Sequence, residues 1–144
     1  MSGMAKNRSV VELHVADFSK VEQYYSSLGF RIVWRREAVG ANGYLVMEFE
    51  ENVLCFWPGT ESVIKHSYFS TFPNDTVRGY GVEIVIFVSD ISSFYEKHFS
   101  SDEVVEPLVR RPWGVSDFRT IDPNGYYLRF SESFDILDRR LAKD

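Results

Sequence analysis

Two stretches of this chain share one grammar at an offset of 73 residues: 10–25 (VVELHVADFSKVEQYY) and 83–98 (EIVIFVSDISSFYEKH). In each, alternating apolar residues lead to a Val, a one-residue spacer and an Asp, and an apolar stripe at helical spacing then begins. Val11, Leu13, Val15, Asp17 and Phe18 of the first stretch correspond to Ile84, Ile86, Val88, Asp90 and Ile91 of the second. A repeat of this size in so short a chain means two copies of one supersecondary unit. Functional residues are therefore sought at matching positions of both copies.

Each copy reads as strand, helix, then three strands. Residues 10–16 alternate Val11, Leu13 and Val15 with Val10, Glu12 and His14, the period of a two-faced strand. Asp17 stands at the N-cap of a helix striped by Phe18, Val21, Tyr24, Tyr25 and Leu28, and Gly29 supplies its stop. Strands are predicted over 30–37, 44–50 and 53–57, with Glu51-Asn52 as the tight turn before the last, and Gly40 and Gly43 punctuating the loop before Tyr44. Residues 58–81 dissolve into Ser, Thr, Pro, Asn and Gly, with a short helical turn expected over 63–66. The second copy has a strand over 82–89, a helix capped by Asp90 and striped by Ile91, Phe94, Tyr95 and Phe99, and strands near 104–110, 117–121 and 126–131. Asp122-Pro123-Asn124-Gly125 is a strong turn signal, since Pro fixes one dihedral and Gly tolerates a positive φ. A short terminal helix is expected over 134–143.

This gives an α+β chain with one domain made of two modules, 9–58 and 81–133, joined by a connecting segment, 59–80, and followed by a tail, 134–144. With 144 residues, 44% hydrophobic and 16% aromatic, there is apolar material enough for a core. No apolar run approaches the roughly 20 residues of a membrane span, and the opening MSGMAKNRS lacks the apolar stretch of a secretory signal. Cys55 stands alone, which excludes an internal disulfide and fits a cytoplasmic location. A net charge of −5 argues against nucleic acid and would steer a cationic small molecule.

The duplicated βαβββ plan resembles the vicinal oxygen chelate superfamily, the glyoxalase, bleomycin resistance protein and dioxygenase group, over about residues 9–132. The landmarks are the Val-spacer-Asp entry to each helix, Tyr24-Tyr25 through Leu28-Gly29-Phe30, and DPNG followed by YYLRF. Within that group the second half is most similar to bleomycin resistance proteins, through Arg111-Pro112-Trp113-Gly114, Asp117-Phe118 and Asp122-Pro123-Asn124-Gly125. The resemblance implies cupped, mostly antiparallel sheets and, as is common in the group, a homodimer.

Enzymes of this superfamily hold a divalent metal with His, Gln or Glu, donors that suit hard and borderline cations. The resemblance places the four ligand positions at Val10, Cys55 (Phe56 if the register slips by one), Glu83 and Arg129. Valine cannot ligate, and a guanidinium repels a cation. Glu83 alone is a possible ligand, and beside Arg129 it reads better as half of an ion pair. No metal and no cofactor are expected. The same positions outline a mixed site, with Glu12, His14, Glu83 and Arg129 as polar groups and Trp57, Trp113, Phe118 and Tyr127 as aromatic ones, the composition usual for small-molecule sites. Trp34 and Cys55 read as packing residues, and His66 and His98 fall at no position the resemblance marks.

Three classes of function stay open: a metal-independent protein that sequesters a small aromatic or cationic, antibiotic-like compound; a lyase, isomerase or dioxygenase with an atypical or metal-free site; and a fold kept for interaction alone. The ligand positions favour the first over a metal enzyme. Small-molecule ligand, no nucleic acid and no membrane are the partner expectations.

Overall fold

A computed structural model describes residues 3–6, 9–37 and 42–138. The chain divides into two compact units, Met1–Asn74 and Asp75–Asp144, and the division falls inside the connecting segment.

In the first unit, β1 (Glu12–Val15) leads into α1 (Phe18–Ser27), followed by β2 (Arg31–Arg36), β3 (Tyr44–Phe49) and β4 (Asn52–Pro58). The strand order is β1-β4-β3-β2, with β1 parallel to β4 and the other pairings antiparallel. The Asp17 carboxylate caps α1 by accepting from the Ser19 amide at 2.8 Å. Val21 and Tyr25 turn inward onto Leu13, Val15, Leu45, Met47, Leu54 and Phe56, one face of the sheet and all buried. Each such side chain contributes about 1.5–3 kcal/mol by leaving water. At Gly29 the chain leaves the helix at φ +106°, where a Cβ would meet the Phe49 ring at 3.0 Å.

β1 starts at Glu12, because its parallel ladder begins only at the Glu12–Cys55 pair, and Val10 and Val11 stay exposed. The turn between β3 and β4 is Glu50-Glu51, both at positive φ, one residue earlier than Glu51-Asn52; Asn52 instead donates its side-chain amide to the Phe49 carbonyl at 2.9 Å. The helical turn expected over 63–66 begins earlier, as α2 (Thr60–Ile64), and is followed by a 3₁₀ turn, Phe69–Thr71. Gly59 launches α2 because its amide donates to the Val15 carbonyl at 2.8 Å, an approach that leaves no room for a Cβ. The predicted loop glycine Gly40 lies outside the described residues.

The second unit repeats the plan with β5 (Ile84–Val88), α3 (Ile91–His98), β6 (Glu106–Arg110), β7 (Ser116–Ile121) and β8 (Tyr127–Glu132). The order is β5-β8-β7-β6, again with one parallel pairing, β5 with β8. Asp90 caps α3 through the Ser93 amide at 3.2 Å. Ile86, Val88, Ile91, Phe94, Phe118, Leu128 and Phe130 form its core, and Phe118 stacks on Phe130 with centroids 5.2 Å apart. In the DPNG turn the Asp122 carboxylate accepts from the amides of Asn124 (2.8 Å) and Tyr126 (2.9 Å), and Gly125 takes φ +93°. The tail over 134–138 makes a single turn rather than a helix, with the Asp138 amide on the Asp135 carbonyl at 2.9 Å; residues 139–144 lie outside the described residues.

Each unit is thus a four-stranded mixed sheet with a helix on one face, an α+β architecture in which two of three strand pairings are antiparallel. Among the described residues no helix is long and apolar enough to cross a membrane.

Candidate functional site

Strand alternation puts the helix-packed residues of each sheet on one face and leaves the other to polar and aromatic side chains. In the first unit that second face carries Glu12 and His14 on β1, Cys55 and Trp57 on β4, Tyr44 and Val46 on β3, and Trp34 on β2. Register fixes these neighbours: Glu12 pairs with Cys55, His14 with Trp57, Val46 with Cys55, and Trp34 with Val46. Cys55 shares this face and Phe56 belongs to the core.

The Tyr44 hydroxyl donates to Glu12 Oε2 at 2.5 Å. Burial, then the bonds to Glu12 and Cys55, push the Tyr44 phenol well above its ordinary range, so it stays a neutral donor. Its ring stacks on the exposed Trp34 indole at 5.3 Å and 18°. A second cluster surrounds His14, which is buried against Trp57 and edge-on to Phe69. His66 closes it: the ring lies 4.5 Å from Phe69, and Nδ1 accepts from the amides of Tyr68 (3.0 Å) and Phe69 (3.2 Å). Among the described residues the Trp57 Nε1–H is buried without an acceptor.

In the second unit the corresponding face is ionic. Glu83, just before β5, has Arg119 Nε on Oε2 at 2.9 Å and Arg129 Nη1 3.3 Å from Oε1. Arg119 also lies 3.4 Å from Asp117 and 3.7 Å from Glu106, and Arg111 binds Asp117 at 2.7 Å and Glu106 at 3.3 Å. Three guanidiniums and three carboxylates therefore interleave. The expected Glu83–Arg129 pair is present, but Arg119 makes the closer contact. Tyr127 shares this face, its phenol raised by burial first and the nearby carboxylates after it.

The predicted residues are drawn from both units. Glu12, His14 and Trp57 sit on the open face of the first sheet, and Glu83, Tyr127 and Arg129 on that of the second. Trp113 stands exposed in the turn between β6 and β7. Phe118 is corrected to a core residue: its neighbour Asp117 faces the ion pairs, so alternation turns Phe118 toward α3. Sequence reading missed Trp34 and Tyr44, the role of His66, and Glu106, Arg111 and Arg119. Period two along β7 would have placed Arg119 beside Asp117, whereas His66 acts from a loop with no periodic signal. A cleft of about 270 Å³ at the start of α1, lined by Asp17, Ser19, Glu22 and Arg35 among others, contains none of the predicted residues.

A divalent cation does not fit these residues. Among the described residues no three His, Cys, Asp or Glu side chains gather to hold one. Val10 lies outside the strand, and both Glu83 oxygens face guanidiniums, which repel a cation.

No protein-family model and no curated protein matches the chain. Solved structures do. TioX from Micromonospora sp. ML1 superposes with a TM-score of 0.67 at 18% identity, covering 89% of this chain and 99% of that one. A bleomycin-binding protein complexed with bleomycin gives 0.57 at 20%, covering 90% and 100%. A lactoylglutathione lyase from Agrobacterium tumefaciens gives 0.60 at 16%, covering 90% and 96%. The chain shares the fold of these structures.

Proposed function

We propose that this chain is a metal-independent small-molecule-binding protein that sequesters an aromatic, antibiotic-like compound, as the bleomycin-binding protein of the same fold holds bleomycin. The observation that carries this reading is the engagement of Glu83 by Arg119 and Arg129, which occupies the one carboxylate among the four positions the resemblance marks for a metal. What the first unit offers instead is a recognition surface. Trp34 stacked on Tyr44 presents an indole face, and the Glu12 carboxylate beside them favours a ligand carrying positive charge.

The protein acts in the cytoplasm as a homodimer in this reading. β2 is an edge strand whose Ile32, Val33 and Trp34 are all exposed, the kind of edge that a second copy covers. Sedimentation at micromolar concentration should return twice 16.7 kDa; a single 16.7 kDa species removes the dimer.

A screen by tryptophan fluorescence and thermal shift tests the function, using bleomycin-like glycopeptides, simple cationic aromatics and aromatic acids. Binding by glycopeptides or cationic aromatics, weakened by Trp34→Ala, supports it. Silence across the panel overturns it. Turnover that appears on adding zinc or nickel would restore the metal-enzyme reading.

A further inference from the structure

The ionic face of the second unit holds unspent donors. Arg119 and Arg129 stand directly opposite each other on β7 and β8, and Arg111 reaches the same cluster from the end of β6. Formal charges cancel, but their placement does not. The guanidinium side chains of Arg119, Arg111 and Arg129 are 13%, 18% and 21% exposed, and Asp117, at 1%, is the single deeply buried carboxylate. Glu83 and Glu106 are 30% and 45% exposed, so water screens these two acids more than the three guanidiniums.

Arg129 is the least satisfied member. Among the described residues its charged partner is Glu83 at 3.3 Å, a carboxylate already held at 2.9 Å by Arg119. Among the described residues its Nε–H is buried with no acceptor, so the guanidinium rests on one shared ion pair, and an anionic acceptor at its exposed edge would add charge-assisted bonds.

We propose that this face of the second unit is a receptor for the oxyanion of a small ligand, a carboxylate or a phosphate, with Arg129 as its anchor. The oxyanion takes the guanidinium donors that Glu83 leaves free, in the planar geometry that arginine offers such groups. Tyr127, two residues back on the same face, supplies a ring beside Arg129 and a phenol that burial keeps protonated and able to donate. This goes beyond the aromatic surface of the first unit and does not depend on it.

The test is an arginine side-chain NMR titration of the whole protein with benzoate, inorganic phosphate, benzylamine and benzyl alcohol, with the Arg129 Nε–H resonance assigned by its loss in Arg129→Lys. Benzoate or phosphate should move that resonance saturably, and which of the two does so identifies the source of the oxyanion. In Arg129→Gln the affinity should fall about tenfold or more, the scale of losing a charge-assisted bond. An unmoved resonance with both anions overturns the proposal, even if Arg129→Gln fails to fold. So does equal response to benzyl alcohol or benzylamine, or unchanged affinity in a folded Arg129→Gln. Loss of this site leaves Trp34-dependent binding intact, so the two readings fail separately.

Discussion

Arg119 donates to Glu83 at 2.9 Å across 36 positions of sequence, from the place on β7 that faces Arg129 on β8. The same guanidinium lies 3.4 Å from Asp117, so one arginine joins the start of β5 to the buried centre of the network.

Asp117 is where that network is most sensitive. It is fully buried between Arg111 and Arg119, and removing it would leave two poorly solvated cations without their inner partner. Asp117→Ala should destabilise the protein by about 3–5 kcal/mol, and Asp117→Asn by less because an amide oxygen still accepts. Urea unfolding of the variants measures this. A loss under about 1 kcal/mol for Asp117→Ala would mean that the arginines find water.

The ionic face also predicts what a chelator will do. Protein purified without chelator should carry no stoichiometric zinc, nickel, iron or manganese by elemental analysis, and EDTA should leave its Tm unchanged. One equivalent of metal that is lost in Glu83→Gln would overturn the assignment of Glu83 to Arg119 and Arg129.

Local chemistry made most of the fold legible. Asp17 and Asp90 cap helices because their carboxylates meet free amides within three residues, and the DPNG turn carries its own instructions. The repeat disclosed two similar units and the alternation disclosed their two-faced strands. What sequence did not disclose was set by register across distant strands. Glu83 and Arg119, or Trp34 and Tyr44, become neighbours only once the strands pair. Phe118 differs for a simpler reason: the motif it belongs to points to the site, but the period of its own strand sends it to the core.

The Glu50-Glu51 turn is a place where the sequence works against the backbone. Both residues take positive φ, 47° and 68°, which suits Asn and Gly rather than a side chain with a long stem. Glu50→Asn with Glu51→Gly should stabilise the protein by about 0.5–1 kcal/mol, visible as a Tm rise of a few degrees. An unchanged or lower Tm would show that the glutamates hold contacts worth as much as the strain.

His98 gives a pH dependence whose sign is fixed. It ends α3 with its ring 4.9 Å from Phe94, and burial, followed by repulsion from Lys97, lowers its pKa below the ordinary imidazole value. The unfolded chain therefore takes up a proton at His98 more readily than the folded one. That contribution to stability is present above the unfolded pKa of about 6.5 and is lost as pH falls from there through the folded value. Carboxylates elsewhere in the chain add their own acid dependence, so the contribution is isolated by comparison with His98→Gln. Between about pH 7 and pH 5 the wild type should lose more stability than the variant, measured as the change in urea midpoint at each pH. Parallel losses in the two proteins would mean that folding does not perturb the imidazole, and a steeper loss in His98→Gln would reverse the sign argued here.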